Sequence, residues 1–276
     1  MHCIHLRDEA DAEGWRTAAR ALLLAGVPPA EVSWQVEGCD ADSLFGDAPS
    51  PLPAAAPGAA RQQVPAAFVE LATDALCHAD PRRFALLYRL LWRLVHEPGL
   101  RHDKLDVDWL AARALARAVH RDEHQMRAFV RFHEQATPQG PQFIAWYEPE
   151  HHVVERNAPF FAGRFASMRW AIFTPRRSVA WDGQALQFGG GAQREAVLPK
   201  DDAKQALWLT YYASIFNPAR LKLEHMQGEM PKKYWRNLPE AALIAPLAAG
   251  ATQRAERMID EAPTMPRRRI RRKDTP

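Results

Sequence analysis

In the central part of this chain of 276 residues, the spacing of apolar residues changes from a helical repeat to a repeat of two. In Pro81 to His96 the leucines recur every three or four residues, so they share one face of a helix. From Gln142 to Phe188 apolar residues alternate with polar ones, and Asp182-Gly183 has the composition of a tight hairpin turn. Helical segments followed by a run of strands are typical of an α+β fold. The sequence therefore predicts an antiparallel sheet with several packed helices.

A short strand-helix-strand unit precedes this region. Cys3 to Leu6 and Val32 to Val36 alternate as strands, and Ala10 to Leu24 has helical spacing. We expect this unit to span residues 1–47 and an Ala/Pro-rich linker to occupy 48–63, since that composition buries too little apolar surface to offset its ordering entropy. Residues 64–262 are predicted to pack with 1–47 as one domain, and 263–276 to be a disordered basic tail. The predicted helices of the main region are 65–77, 81–96, 107–133, 201–216, 218–227 and 239–259, and its predicted strands are 143–147, 152–155, 170–173, 178–181 and 185–188, with one helical turn at 159–165.

The charge distribution limits how this chain can bind a polyanion. The net charge is +3, but Arg267 to Pro276 holds six basic residues and one acid, which leaves −2 on the rest. A surface that is basic all round is excluded, so any nucleic-acid contact must come from local cation clusters and the tail. Three widely spaced cysteines without a C-x-x-C pair exclude a zinc ribbon or a disulfide framework. The N-terminus lacks an apolar signal core, and no stretch has the length of a membrane span, so we expect a cytoplasmic protein without membrane contact.

A row of basic and titratable residues follows one face of the long helix predicted at 107–133. Their spacings of three and four place them within an arc of roughly 80°. Such a row can contact phosphates, or it can be a solvated face paired with acids from another helix. A metal held by His120 and His124 is a weaker alternative, because neighbouring arginines repel a cation. The row consists of Arg113, Arg117, His120, His124, Arg127 and Arg131.

Two further groups could carry acid/base chemistry. Asp122 falls among the apolar positions of the long helix, where a carboxylate is either a structural ion-pair anchor or a general base. A hairpin predicted around Pro149-Glu150 would place Glu148 beside His152, where the two could transfer protons or form a cross-strand salt pair. The candidate catalytic residues are Asp122, His124, Glu148 and His152.

Two shorter runs contain cations that could contact a nucleic acid, one at a predicted hairpin turn and one beside aromatic rings. Arg176 and Arg177 stand at a predicted hairpin turn, from which they could contact a phosphate or simply solubilise the turn. Lys232 to Asn237 interleaves cations with two rings, a pattern typical of nucleic-acid contact and also of an interhelical turn. We expect the basic row and this run to lie on one continuous surface. The candidates in the run are Lys232, Lys233, Tyr234, Trp235, Arg236 and Asn237.

Several stretches resemble one bacterial family. They include Phe84 to Trp92, His124 to Phe132, Trp146 to Phe165, Ser214 to Arg220 and Lys232 to Pro239, and with others they cover nearly the whole chain except the linker and tail. The chain resembles a family of DNA metabolism or DNA repair proteins that accompany a radical-SAM protein and occur fused to UdgX-type uracil-DNA glycosylase modules. Glu123 departs from the residue expected there, which weakens the metal interpretation further. The water-activating and His-Pro-Ser motifs of the glycosylase are not found, so the resemblance implies DNA repair without naming a reaction.

These observations predict a DNA-binding protein of DNA repair or DNA metabolism. We expect it to act on damaged or single-stranded DNA with a radical-SAM or glycosylase partner, and we expect no cofactor and no metal. One alternative is an enzyme that acts on a base or an abasic site by acid/base chemistry, in which Asp122 and Glu148 to His152 should converge in one cleft. A second alternative is a protein-docking scaffold, which should instead expose an apolar patch.

Overall fold

The computed structural model describes residues 1–37, 50–56, 63–103, 105–138, 140–197, 232–238, 241 and 243. The chain divides into two compact units, residues 1–198 and 199–276. The helices predicted at 201–216 and 218–227 lie outside the described residues, as do most of 239–259, the tail and part of the linker. The domain boundaries predicted from the sequence stay predictions.

The first unit begins with the predicted strand-helix-strand arrangement. Strands β1 (His2–Leu6) and β2 (Val32–Val36) pair in parallel, and helix α1 (Ala12–Leu24) connects them. Asp11 caps α1, because its side chain accepts a hydrogen bond from the N–H of Gly14 at 2.9 Å. The loop between β1 and α1 therefore lies at the carboxyl end of a parallel strand.

Helices α2 (Ala66–Ala75), α3 (Arg83–His96) and α4 (Val107–Phe129) pack on this unit and bury one apolar cluster with it. Trp15 of α1 donates from Nε1 to the carbonyl of Phe84 at 3.2 Å, and the Tyr88 hydroxyl donates to the carbonyl of Val27 at 2.6 Å. Both rings are thus buried with their polar atoms satisfied. A short 3-10 helix (Pro98–His102) leads into α4.

The second half of the unit is a five-stranded sheet in the order β3-β4-β5-β6-β7. Helix α5 (Val154–Arg164) packs against this sheet, and the ring centroid of its Phe161 lies 6.1 Å from that of Trp170. Gly183, at φ +101°, closes the predicted hairpin between β6 and β7. The strands are β3 (His133–Thr137), β4 (Gly140–Trp146), β5 (Trp170–Phe173), β6 (Arg177–Trp181) and β7 (Leu186–Gly190), and the four-residue helix α6 (Arg194–Val197) follows them.

The α+β class, the antiparallel-rich sheet and the N-terminal unit are confirmed, and three details are corrected. Helix α4 ends at Phe129, because Val130 has extended backbone angles, so residues 133–137 form β3 instead of the helix end. Residues 154–155, predicted as part of a strand, start α5, so no hairpin forms around Pro149-Glu150. As a consequence β4 and β5 pair in parallel across α5, while the other pairs of this sheet are antiparallel.

Candidate functional site

A cavity of about 120 Å³ lies where three segments of the first unit meet. The segments are the β1–α1 loop with Asp8 to Ala10, the loop and helix turn from Pro149 to Glu155, and the turn between β5 and β6 with Thr174 to Arg177. Each segment follows the carboxyl end of a strand that pairs in parallel. The ends of β4 and β5 lie at one edge of the five-stranded sheet, and the end of β1 belongs to the two-stranded sheet. The carboxyl ends of parallel strands are where α/β proteins bind ligands. The parallel pairing of β4 with β5, absent from the sequence prediction, brings two of the three segments together, and the β1–α1 loop of the other sheet supplies the third.

The buried side chain of Arg83 binds the backbone of the β1–α1 loop. Its side chain is 2% exposed, and it donates hydrogen bonds to the backbone carbonyls of Glu9, Leu76 (2.8 Å) and Asp80 (2.9 Å). Burial lowers the pKa of Arg83 to about 10, so the guanidinium keeps its charge at neutral pH. A fixed positive charge therefore lies beneath the cavity wall.

The loop from Tyr147 to Val153 is fastened by backbone hydrogen bonds to other elements. The N–H of His151 donates to Oδ2 of Asp122 at 2.8 Å, and the N–H of His152 donates to the carbonyl of Cys77 at 2.9 Å. Nδ1 of His151 accepts from the N–H of Ala79 at 3.3 Å. These contacts fix the position of His152 relative to α2 and α4.

His152 is the most perturbed titratable group of the cavity. Its Nδ1 lies 3.5 Å from Oε2 of Glu9, and its Nε2 is buried without a hydrogen-bond partner among the described residues. Burial, aided by the charges of Arg83 and Arg176, lowers the pKa of His152 to about 4. The ring is then neutral at pH 7, and the carboxylate at Nδ1 favours the tautomer with hydrogen on Nδ1. The lone pair of Nε2 is thus an unused acceptor on a buried atom of a residue that lines the cavity.

The β5–β6 turn presents two arginines from a rigid base. Thr174 is fully buried, and its hydroxyl donates to the carbonyl of Arg177 at 2.6 Å while it accepts from the N–H of Arg177 at 3.1 Å. Arg177 pairs with Glu155 at 2.6 Å. Arg176 is exposed and forms no ion pair within the described part of the chain. It is therefore available to an external anion.

The four candidate catalytic residues take different positions. His152 lines the cavity, and Asp122 lies behind it as the anchor of His151. Glu148 accepts a hydrogen bond from Nε1 of Trp146 at 2.8 Å. His124 is exposed on α4 and does not line the cavity. The structure thus brings Asp122 and His152 together through one loop.

The basic row on α4 is largely engaged within the chain. Both ring nitrogens of His120 face carboxylates, Nε2 at 2.9 Å from Asp74 and Nδ1 at 3.3 Å from Glu123, so neither is left for a metal. Arg127 donates to Oδ1 of Asn157 at 2.7 Å. Arg131 follows the helix end and donates to the carbonyl of Ala128 at 2.7 Å. Of the other members, Arg113 lies 5.4 Å from the ring centroid of Trp109, and Arg117 and His124 are exposed.

The run Lys232 to Asn237 forms a 3-10 helix in the second unit. Tyr234 is 2% exposed, so its ring faces are covered, and Lys233 Nζ lies 4.7 Å from its centroid. Lys232 and Lys233 are exposed, and the amide atoms of Asn237 are buried without a described partner. Trp235 is half-buried, and the side chain of Arg236 lies outside the described residues. The proposed continuity of this run with the basic row stays a prediction.

Sequence reasoning missed Glu9, Arg83 and Thr174. The loop after β1 carries a usable signal, because ligand-binding loops follow the carboxyl ends of parallel strands. Arg83 and Thr174 carry none, since their roles depend on contacts with residues distant in sequence or on a buried turn.

A larger cavity of about 810 Å³ lies among α1, α2 and α3. Its walls are mainly apolar, and its charged lining residues are Arg16 and Arg20. Because it gathers no group capable of acid/base chemistry, the smaller cavity is the better candidate site.

The model of DUF4130, a domain of unknown function, matches residues 81–240. No curated protein and no solved structure matches the chain. None of the helices in the described ranges has the length and apolar character needed to cross a bilayer.

Proposed function

This chain belongs to the DUF4130 family, and we propose that it is a DNA-binding protein of DNA repair or DNA metabolism that engages damaged or single-stranded DNA. The observation that carries the proposal is Arg176. It is an exposed cation without an ion pair within the described residues, on a turn that buried Thr174 holds rigid, at the mouth of a cavity. Cations positioned in this way are the usual contacts to a phosphate backbone.

Three further features support DNA as the polyanion. Arg117 is exposed on α4 without a described partner, and Lys232 and Lys233 are exposed in the second unit. The last ten residues add six basic side chains. The resemblance to proteins that accompany a radical-SAM protein or UdgX-type glycosylase supports one of these as the partner in a repair reaction.

Salt-dependent DNA binding tests the proposal. Fluorescence anisotropy of the full chain with a labelled single strand and a labelled duplex should show affinity that falls with salt, because bound cations release counterions. In Arg176→Ala the slope of log affinity against log salt should fall by about one. Arg16→Ala is the matched control, since Arg16 is exposed but lines the apolar cavity instead. No DNA binding at physiological salt would refute the proposal.

An acid/base enzyme is the second candidate, and a specific observation favours it. Glu9 and His152 form a carboxylate–imidazole pair inside a cavity, with an unused lone pair on Nε2. This is the arrangement of an oriented general base. If the chain forms product on oligonucleotides with a damaged base or an abasic site, and His152→Phe abolishes that activity, the enzyme function is favoured over DNA binding alone.

A further inference from the structure

We propose that the cavity between the β1–α1 loop, the start of α5 and the β5–β6 turn binds a single phosphate monoester group. We infer further that in the cell this group is the terminal phosphate of a DNA strand, a step that rests on the DNA binding proposed above.

The donors of the cavity suit an anion. Arg176 contributes an unpaired guanidinium. The first turn of α5 supplies Val154 and Glu155 to the cavity wall, and no side chain caps this helix. The first N–H groups of a helix have no partner inside the helix and form a positive end. Arg83 adds a buried charge beneath the loop.

The three acidic residues that line the cavity already interact with other groups of the chain. Asp8 accepts from the N–H of Ala10 at 2.9 Å and lies 3.5 Å from Arg7. Glu155 pairs with Arg177 at 2.6 Å. Glu9 faces the neutral ring of His152 at 3.5 Å, and its charge acts on the nearby guanidinium of Arg83, whose pKa it raises. Asp8, Glu9 and Glu155 therefore each have a nearby cation in the chain, in Arg7, Arg83 and Arg177, while Arg176 has no carboxylate partner among the described residues.

His152 selects among phosphate groups. Its Nε2 is an acceptor and needs a hydrogen-bond donor from the ligand. A phosphate monoester has a second pKa of about 6, so near neutral pH it can offer both a hydroxyl group and charged oxygens. A phosphodiester or a sulfate ion has only acceptor oxygens at this pH. The cavity therefore favours a monoester over an internal backbone phosphate.

The size of the cavity agrees with one such group. A volume of about 120 Å³ holds several water molecules, each of which needs at least about 10–15 Å³ in this measure. It is well below the roughly 300–1,000 Å³ of sites that enclose a drug-sized ligand. This volume suits a single phosphate group and is too small for a whole dinucleotide.

Inorganic phosphate and sulfate test the cavity without DNA. Isothermal titration calorimetry of the full chain at pH 7 should give at least tenfold tighter binding of phosphate than of sulfate. Arg176→Ala should weaken phosphate binding at least tenfold, Arg16→Ala should leave it unchanged, and His152→Phe should remove the preference over sulfate. Equal affinity for the two ions, or unchanged phosphate binding in Arg176→Ala, overturns the proposal. Because Arg176 is exposed, its variant keeps the test valid even if His152→Phe fails to fold.

Oligonucleotides identify the source of the phosphate. Single strands ending in a 5′-phosphate, a 3′-phosphate or only hydroxyl groups should differ, with at least one phosphorylated form bound tenfold more tightly and its advantage lost in Arg176→Ala. If phosphate binds but the three strands bind alike, the DNA-end assignment is wrong and a small phosphorylated molecule is the ligand. If DNA binds but phosphate does not, this inference fails while the proposed function stands.

Discussion

Oδ2 of Asp122, buried in the C-terminal half of α4, accepts a hydrogen bond of 2.8 Å from the backbone N–H of His151. The bond connects the long helix to the loop that carries His152 into the cavity. The sequence left Asp122 as either an anchor or a general base, and this contact supports the anchor, with a backbone N–H as partner. Asp122 thus acts on the site by positioning its neighbour.

Removing this carboxylate should destabilise the protein. In Asp122→Ala the buried N–H of His151 loses its acceptor, which should cost about 2–3 kcal/mol of unfolding free energy, measured by urea denaturation. Asp122→Asn retains an oxygen that can accept, so it should cost less. Arg121→Ala is the control, because Arg121 is exposed on the same helix and should change stability by less than about 0.5 kcal/mol. A stable Asp122→Ala variant that fails to bind phosphate would instead indicate direct participation in the site.

Arg156 of α5 should contribute more to stability than the other cation of the charged network that joins α2, α4 and α5. It donates to Glu123 through Nε and pairs with Asp74 at 2.8 Å, while His120 bridges the same two carboxylates. The Glu123 side chain is only 9% exposed, so Arg156→Met leaves a largely buried carboxylate with weaker compensation and should cost about 2 kcal/mol.

A double-mutant cycle tests whether this network is coupled. Arg156→Met combined with Glu123→Gln should cost at least about 1 kcal/mol less than the sum of the single variants. Arg82→Met is the control. The Arg82 side chain pairs with Asp80 but is 88% exposed, so this substitution should hardly change the unfolding free energy. Simple additivity of the two changes would show that the pair contributes little.

Local patterns were sufficient to predict most of the fold. The N-terminal unit, helices α2 to α4 and strands β4 to β7 follow from apolar spacing and turn residues, and Asp106 caps α4 with hydrogen bonds to the N–H groups of Asp108 and Trp109. The error at 152–155 has a physical cause. The N–H groups of His151 and His152 are satisfied by Asp122 and Cys77, both remote in sequence, so the segment needs no strand partner.

The site was less predictable than the fold. His152 was identified from a predicted hairpin that does not form, and Arg176 and Arg177 from a predicted hairpin turn that does, and the structure brings all three to one cavity. Glu9 and Arg83 reach the same place only because β1 pairs in parallel with β2 and because Arg83 is buried against the loop. Such long-range contacts leave no periodic signal in the sequence.

Gly191 should be required for the β5–β6 turn. A Cβ at this position would lie 2.0 Å from the carbonyl oxygen of Pro175, next to Arg176, so the backbone would have to shift. Gly191→Ala should lower the unfolding free energy by about 1–3 kcal/mol and weaken phosphate binding. Gly190→Ala is the matched control, since a Cβ there meets no atom within 4 Å. Equal effects of the two substitutions, by thermal melting and calorimetry, would contradict the close packing of this turn.

His152 should make the protein sensitive to mild acid. Its pKa falls from 6.5 to about 4 in the folded chain, so between these values the unfolded chain binds the proton more readily. Stability should therefore be lost as the pH drops from 6.5 towards 4, by up to about 3 kcal/mol, because each tenfold difference in proton affinity between the folded and unfolded chain corresponds to about 1.4 kcal/mol.

Burial and the adjacent His151 lower the pKa of His78 as well, so His78 adds to the same slope. Asp80, with a pKa of about 2, loses its contribution only at lower pH. In His152→Phe the decline between pH 6.5 and 4 should become shallower without vanishing, as measured by urea denaturation across this range. An unchanged slope in the variant would show that His152 is protonated in the folded protein as readily as in the unfolded chain.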